Sequence, residues 1–226
     1  MLANPYWYAL KTEHAAFAIG SGQALCYPAD VIPFCGVEEA SPAALVALRE
    51  LIEPGRLVYL TADRVPAVPG IEAVSQLACR QMHFTAIGDS IALPSRPDVQ
   101  SRLLGTADAA AMSALTDLAF PGFFRARTHI LGQYYGVHVE GELVAMAGER
   151  LALPGFREIS AVCTHPEHTG KGYAAVLMAR LVRAHAAAGL KSFLHVATEN
   201  ERAIALYERL GFMTRTQLLF HQLRAF

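Results

Sequence analysis

Residues 158–174, EISAVCTHPEHTGKGYA, constrain this chain more than any other stretch. A run with strand character ends in a polar loop that closes on Gly170-Lys171-Gly172. A helix opens directly after it. Ala174, Leu177, Met178, Leu181 and Val182 fall at i, i+3, i+4, i+7 and i+8, which is one apolar stripe. The first turn of such a helix carries backbone N–H groups with no partner inside the helix, and the macrodipole adds a partial positive charge. Gly170 and Gly172 remove the Cβ atoms that would hold a phosphate away from those amides, and Lys171 adds a formal positive charge. The stretch is therefore a candidate anion site. It is not a Walker A loop, because no GxxxxGK[ST] is present. Nor is it a dinucleotide fingerprint, which needs a third glycine in a tighter strand-to-helix turn.

The surroundings of this loop have a consistent pattern. Residues 108–120 predict a helix, from Met112, Leu115 and Ala119, stopped by Pro121-Gly122. Residues 134–140 and 143–149 predict a hairpin turning at Gly141, and residues 157–163 a third strand. The helix after the loop ends near Gly189. A strand at 192–197 follows. Asn200 then caps a last helix carrying Ala203, Leu206, Tyr207 and Leu210 on one face, and a strand at 216–222 closes the pattern. N-terminal to this, residues 24–27 and 57–60 predict short strands. Ser41-Pro42 opens a helix that runs to residue 53, and residues 73–83 predict another helix. Residues 90–105 carry two prolines without sustained periodicity. They mark a boundary between a region at 1–95, possible as a degenerate half-domain, and a domain at 106–226.

Composition narrows the classes. Of 226 residues, 53% are hydrophobic and 17% charged, which suits a packed globular protein rather than a disordered one. The net charge of −1 gives no bulk attraction to nucleic acid or to an anionic membrane. Cys26, Cys35, Cys79 and Cys163 form no CxxC pair, and no His/Cys cluster has metal-ligand spacing, so no metal is expected. The four thiols read as buried and reduced. With no secretory pattern and no apolar run of transmembrane length, a soluble cytoplasmic protein is expected.

The run V-x-T-x-P-x-x-x-G-x-G-Y-A, from Val162 to Ala174, precedes Asn200-x-x-Ala203-x-x-x-Tyr207 and Leu210-Gly211-Phe212. Together they resemble the GNAT superfamily of acetyl-CoA-dependent N-acyltransferases. The first run is especially similar to the branch with glycine N-acyltransferase-like domains. The likeness covers about residues 108–223. It implies an α/β fold: a mixed, largely antiparallel sheet splayed at its centre with flanking helices, here preceded by a smaller α/β part. It implies acetyl-CoA as acyl donor. Val162, Cys163 and Thr164 would pair with the pantetheine arm. Thr169, Gly170, Lys171, Gly172, Tyr173 and Ala174 would hold the pyrophosphate, with Asn200 and Ala203 also at the cofactor. Thr169 departs from the family, which usually places arginine or glutamine there.

Acyl transfer to an amine needs a neutral amine, a polarised thioester carbonyl and a proton for the departing thiolate. The resemblance makes Tyr207 the acid. Glu158, a carboxylate on an apolar strand, is the candidate base or amine-orienting group, acting directly or through water; its alternative is a structural ion pair. Glu149, His165 and His195 are lesser candidates. Cys163 has no Cys–His–Asp arrangement in support of a covalent role. The acceptor groove would lie around residues 120–127 and 133–138, with Phe123, Phe124, Tyr134 and Tyr135 as an aromatic wall and Arg125 and Arg127 nearby. The expected function is transfer of an acetyl group to a small-molecule amine in a ternary complex. The alternative is a catalytically inactive acyl-CoA-binding or sensor module.

Overall fold

The computed structural model describes residues 1–85 and 93–226. Eleven strands form one sheet in the order β1-β2-β3-β4-β11-β5-β10-β9-β8-β7-β6. The N-terminal side supplies β1 (Ile19–Ser21), β2 (Ala24–Cys26), β3 (Phe34–Val37), β4 (Leu57–Thr61) and β5 (Ile71–Phe84). Later come β6 (Ser101–Leu104), β7 (Tyr134–Val139), β8 (Glu142–Leu153), β9 (Phe156–Thr164), β10 (Lys191–Ala197) and β11 (Phe212–Ala225). Most pairings are antiparallel; β3 with β4 and β9 with β10 are parallel. The helices are α1 (Pro5–Lys11), α2 (Pro42–Leu51), α3 (Ala109–Ala119), α4 (Tyr173–Ala187) and α5 (Glu201–Arg209).

The period-2 alternation of β8 sorts its side chains between two cores. Ala145 and Ala147 join the cluster in which α4 places Leu177, Met178 and Leu181 against Leu194 and Phe212. Met146, one residue out of phase, joins Met112 and Leu115 of α3. Elsewhere α1 lays Tyr6 and Leu10 against Phe34, Leu151 and Leu153, and α2 brings Leu45 and Leu48 to Val37, Val58 and Leu60. Each fully buried side chain of this kind contributes about 1.5–3 kcal/mol. Ser41 caps α2 as its sequence position implies, its Oγ accepting from the Ala44 N–H at 3.2 Å.

Three sequence expectations change. Residues 73–83 form most of β5, not a helix. Their Ala, Gln and Met content favours a helix locally, but pairing with β10 on one side and β11 on the other satisfies both strand edges. The expected boundary at 90–105 lies partly outside the described residues, and its remainder includes β6, which pairs with β7. Hydrogen bonding crosses that boundary, because β5 from the N-terminal side sits inside the sheet. Lastly, Cys26 and Cys35 are not free thiols. They oppose each other across β2 and β3 and are joined as a disulfide; Cys79 and Cys163 are free and buried. Among the described residues no helix is long and apolar enough to cross a membrane.

Candidate active site

The site is an opening in the sheet. β9 and β10 pair in parallel only through Lys191–Phe156, Ser192–Arg157 and Phe193–Glu158. Beyond that point the two strands run on without pairing, and a cavity of about 630 Å³ lies over the gap. On its other edge β9 is bulged: Met146 pairs with Cys163 and Gly148 with Ser160, so Ala161 and Val162 face Ala147 alone. Ala161 takes a φ of 52°, a left-handed value uncommon outside glycine. A bulge interrupts the ladder and leaves an extra residue unpaired. Backbone polar groups of β9 are thus released at the cavity.

At one end of the gap stands the glycine loop. Gly170 and Gly172 take φ of 78° and 80°, and Gly172 is the N-cap of α4. Both glycines serve conformation as well as approach, since a side chain at either position would be strained. The first helical bond runs from the Val176 N–H to the Gly172 carbonyl. The amides that precede it therefore have no partner within the helix. Val162, Cys163, Thr164, Thr169, Gly170, Gly172, Tyr173, Ala174, Asn200 and Ala203 all line the cavity. Lys171 does not. It borders an adjoining depression and contacts His168 Nδ1 at 3.1 Å. Asn200 caps α5, its Oδ1 accepting from the Ala203 N–H at 3.1 Å, so its capping role is realised.

Tyr207 lines the cavity and is 8% exposed. Burial, with a smaller contribution from Cys163 nearby, raises its phenol above the ordinary value of 10, so it keeps its proton at neutral pH. The Cys163 thiol is pushed up to about 12 by burial, which removes it as a nucleophile near neutrality.

Glu158 is brought to the level of the site but not into it. It is fully buried and does not line the cavity. Arg150 grips it with two bonds, Nε to Oε2 at 3.0 Å and Nη2 to Oε1 at 2.6 Å, and His195 Nδ1 donates to Oε1 at 2.7 Å. Burial pushes its carboxyl up, but the Arg150 guanidinium and His195 outweigh this and hold it at about 2. The assignment of Glu158 as base is therefore corrected: a carboxylate so held does not take a proton from an amine, and Glu158 acts as the centre of a buried ion pair.

The hydrogen bonds around it set the histidine tautomer. Arg215 Nη1 donates to Gln81 Oε1 at 3.1 Å, which leaves Gln81 Nε2 to donate to the Leu2 carbonyl and to His195 Nε2. His195 Nε2 thus accepts, and its hydrogen sits on Nδ1. Glu149 pairs with His185 at 2.9 Å away from the cavity, and His165 Nδ1 accepts from the Glu167 N–H. Among the described residues no cluster of His, Cys, Asp or Glu could hold a metal.

The far end of the cavity is aromatic. Phe120, Phe123, Phe124 and Tyr134 line it as expected, whereas Tyr135 lies on the opposite face beneath the Arg180 guanidinium. Arg127 pairs with Asp30 at 3.1 Å, and neither it nor Arg125 lines the cavity. Sequence reasoning missed Phe34, Leu77, Cys79, Arg150 and Phe220, which complete this end. Arg150 had a findable signal, since it alternates with Gly148 and Ala152 on a strand next to Glu158. Phe34 had none, being far from the loop in sequence.

A sheet splayed beside a bulged strand, with a glycine-capped helix at the mouth, offers freed strand groups and helix-start amides to an extended ligand with an anionic end. The model of the FR47-like protein family matches residues 134–221. A solved structure from Novosphingobium aromaticivorans, assigned to the GNAT family of acetyltransferases, is 32% identical over 100% of this chain and 98% of that one, with a TM-score of 0.89. A GCN5-related N-acetyltransferase from Kribbella flavida shares the fold at 16% identity, over 100% and 96% of the two chains, with a TM-score of 0.65. A GCN5-related N-acetyltransferase-like protein from Streptococcus suis does so at 12%, over 97% and 94%, with a TM-score of 0.60. No curated protein matches the sequence at a significant level. The chain belongs to the GNAT family and is an acyltransferase.

Proposed function

We propose that the protein transfers an acetyl group from acetyl-CoA to the primary amine of a small molecule, by direct attack in a ternary complex. One observation carries the reading: the gap between β9 and β10 opens at Glu158 and Phe193 and leads, along the freed edge of β9, to the glycine-capped start of α4. From Glu158 to Thr164 this edge is about 20 Å long. That length suits an extended arm whose thioester sits beside the bulge and whose pyrophosphate meets the free amides of α4. Residues 162–164 supply the backbone partners of the arm, and residues 169–174, with Asn200 and Ala203, hold the nucleotide end. Amides released by the bulge polarise the thioester carbonyl. As the C–N bond forms and the C–S bond breaks, Tyr207 gives its proton to the departing thiolate and regains one from the proton that the acylated nitrogen sheds, directly or through water. The likeness of residues 162–174 to glycine N-acyltransferase-like domains supports a small acceptor.

No Asp or Glu lines the cavity among the described residues. His168 and His195 do line it, and in this reading the amine enters uncharged, having lost its proton to water. The deciding experiment is calorimetric titration with acetyl-CoA, beside a Gly170→Glu variant that sets a carboxylate at the loop. Wild-type binding that is lost in the variant supports the reading, and a wild type that binds no acetyl-CoA overturns it.

A further inference from the structure

We infer that the acceptor is a primary amine carried on a flat aromatic body and bearing no second positive charge, and that the N-terminal half of the chain selects it. This rests on the acyltransferase reading above. Three observations converge.

The end of the cavity remote from the glycine loop is walled by Phe34, Leu77, Phe123, Phe124, Tyr134 and Phe220. Its level is fixed by Arg150, which pairs with Glu158 at the closed end of the gap and lies 5.0 Å from the Phe34 ring centroid. Aromatic rings already pack there: Phe123 stacks on Phe34 at 6.1 Å, with their planes 22° apart, and lies tilted 4.9 Å from Tyr59. A ring entering this end gains offset or edge-on contacts of the same kind.

The charge at this end rejects a dication. Arg150 is neutralised by Glu158, and no free carboxylate lines the cavity among the described residues. A second ammonium would be desolvated without a counter-ion, which is costly.

The wall is also built from the N-terminal half. Phe34 and Leu77 come from β3 and β5. The loop bearing Phe123 is clamped to residues 30–31, by the Arg127 N–H to the Asp30 carbonyl at 2.8 Å and by Thr128 Oγ1 to the Val31 carbonyl.

The test separates the two layers of the argument. Acetyl-CoA binding is measured first. Phenethylamine, tyramine and tryptamine, and then putrescine and spermidine, are next titrated into the CoA-saturated protein. At least one aromatic amine is expected to bind tenfold or more tighter than either polyamine. Phe123→Ala should weaken that amine about tenfold while leaving acetyl-CoA affinity unchanged. If acetyl-CoA binds but the polyamines bind as well as the aromatic amines, or no aromatic amine binds, the inference fails and the acyltransferase reading stands. If Phe123→Ala leaves the aromatic amine unaffected, the wall assignment fails. If acetyl-CoA itself does not bind, both layers fall together.

Discussion

At the scale of single residues, the site sets a protonated phenol at the cavity apart from a buried structural charge. Tyr207 keeps its proton because burial raises its phenol, so Tyr207→Phe should lower kcat about a hundredfold with acetyl-CoA affinity unchanged, read by turnover and calorimetry together. Glu158 is the opposite case. Glu158→Gln strips Arg150 of its partner in a buried setting and should cost about 3–5 kcal/mol in denaturant unfolding. If water takes the proton of the incoming ammonium, the pH profile of kcat/KM moves with the pKa of the acceptor amine, measured across amines of differing basicity. A rise fixed at one pH for every amine would reveal a base in the protein. The place of Tyr207 on the cavity was legible in the sequence because its neighbours Ala203 and Leu210 lie within two helical turns. The ion pair was named for Glu158 as an alternative, but its distant partners were not legible: His195 is 37 residues away and the Gln81 that sets the histidine tautomer is 114 residues from it.

At the scale of elements, local chemistry succeeded where one segment settles its own geometry. Ser41 caps α2 and Asn200 caps α5 through their side chains, and Gly172 takes the N-cap position of α4 with a left-handed backbone, as the sequence spacing implies. Asn200 has a second face on the cavity, and one substitution separates its roles. Asn200→Asp retains a capping oxygen, so stability should hold within about 0.5 kcal/mol. It also sets a carboxylate beside an anionic ligand, so acetyl-CoA should bind more weakly in calorimetry. Equal affinity would place Asn200 in capping alone. β5 is where element-level reading broke down. Residues 71–84 are solvated or half-buried along much of their length, so no apolar stripe or strict alternation announces a strand. Its identity comes from neighbours on both sides, and that is tertiary information.

At the scale of the whole molecule, acid sensitivity is built into the N-terminal half. His14 is buried against Tyr27 at 2.8 Å, and burial lowers its pKa from 6.5 to about 4. The unfolded chain takes up this proton at the higher pH. The His14 contribution is thus full above pH 6.5 and lost as pH falls toward 4, to a total of about 3 kcal/mol. Glu158 has the same sign over a lower window, from 4.5 down to about 2. Denaturant midpoints should fall between pH 7 and 4.5, and a His14→Gln variant should flatten that slope. The two prolines at residues 90–105 suggested a boundary, and nothing local in the sequence announced the strand pairing that crosses it. A fragment of residues 106–226 lacks β4 and β5, the two flanks of β11, and should show no cooperative thermal unfolding. The same placement sets a timetable for biosynthesis. Once residue 84 has been made, β5 has neither of its neighbours until residues 191–225 follow. At roughly 5–20 residues per second the ribosome leaves it bare-edged for on the order of ten seconds. The nascent chain must spend that interval shielded, whether by non-native contacts or by a chaperone, before the last strand can zip the sheet shut.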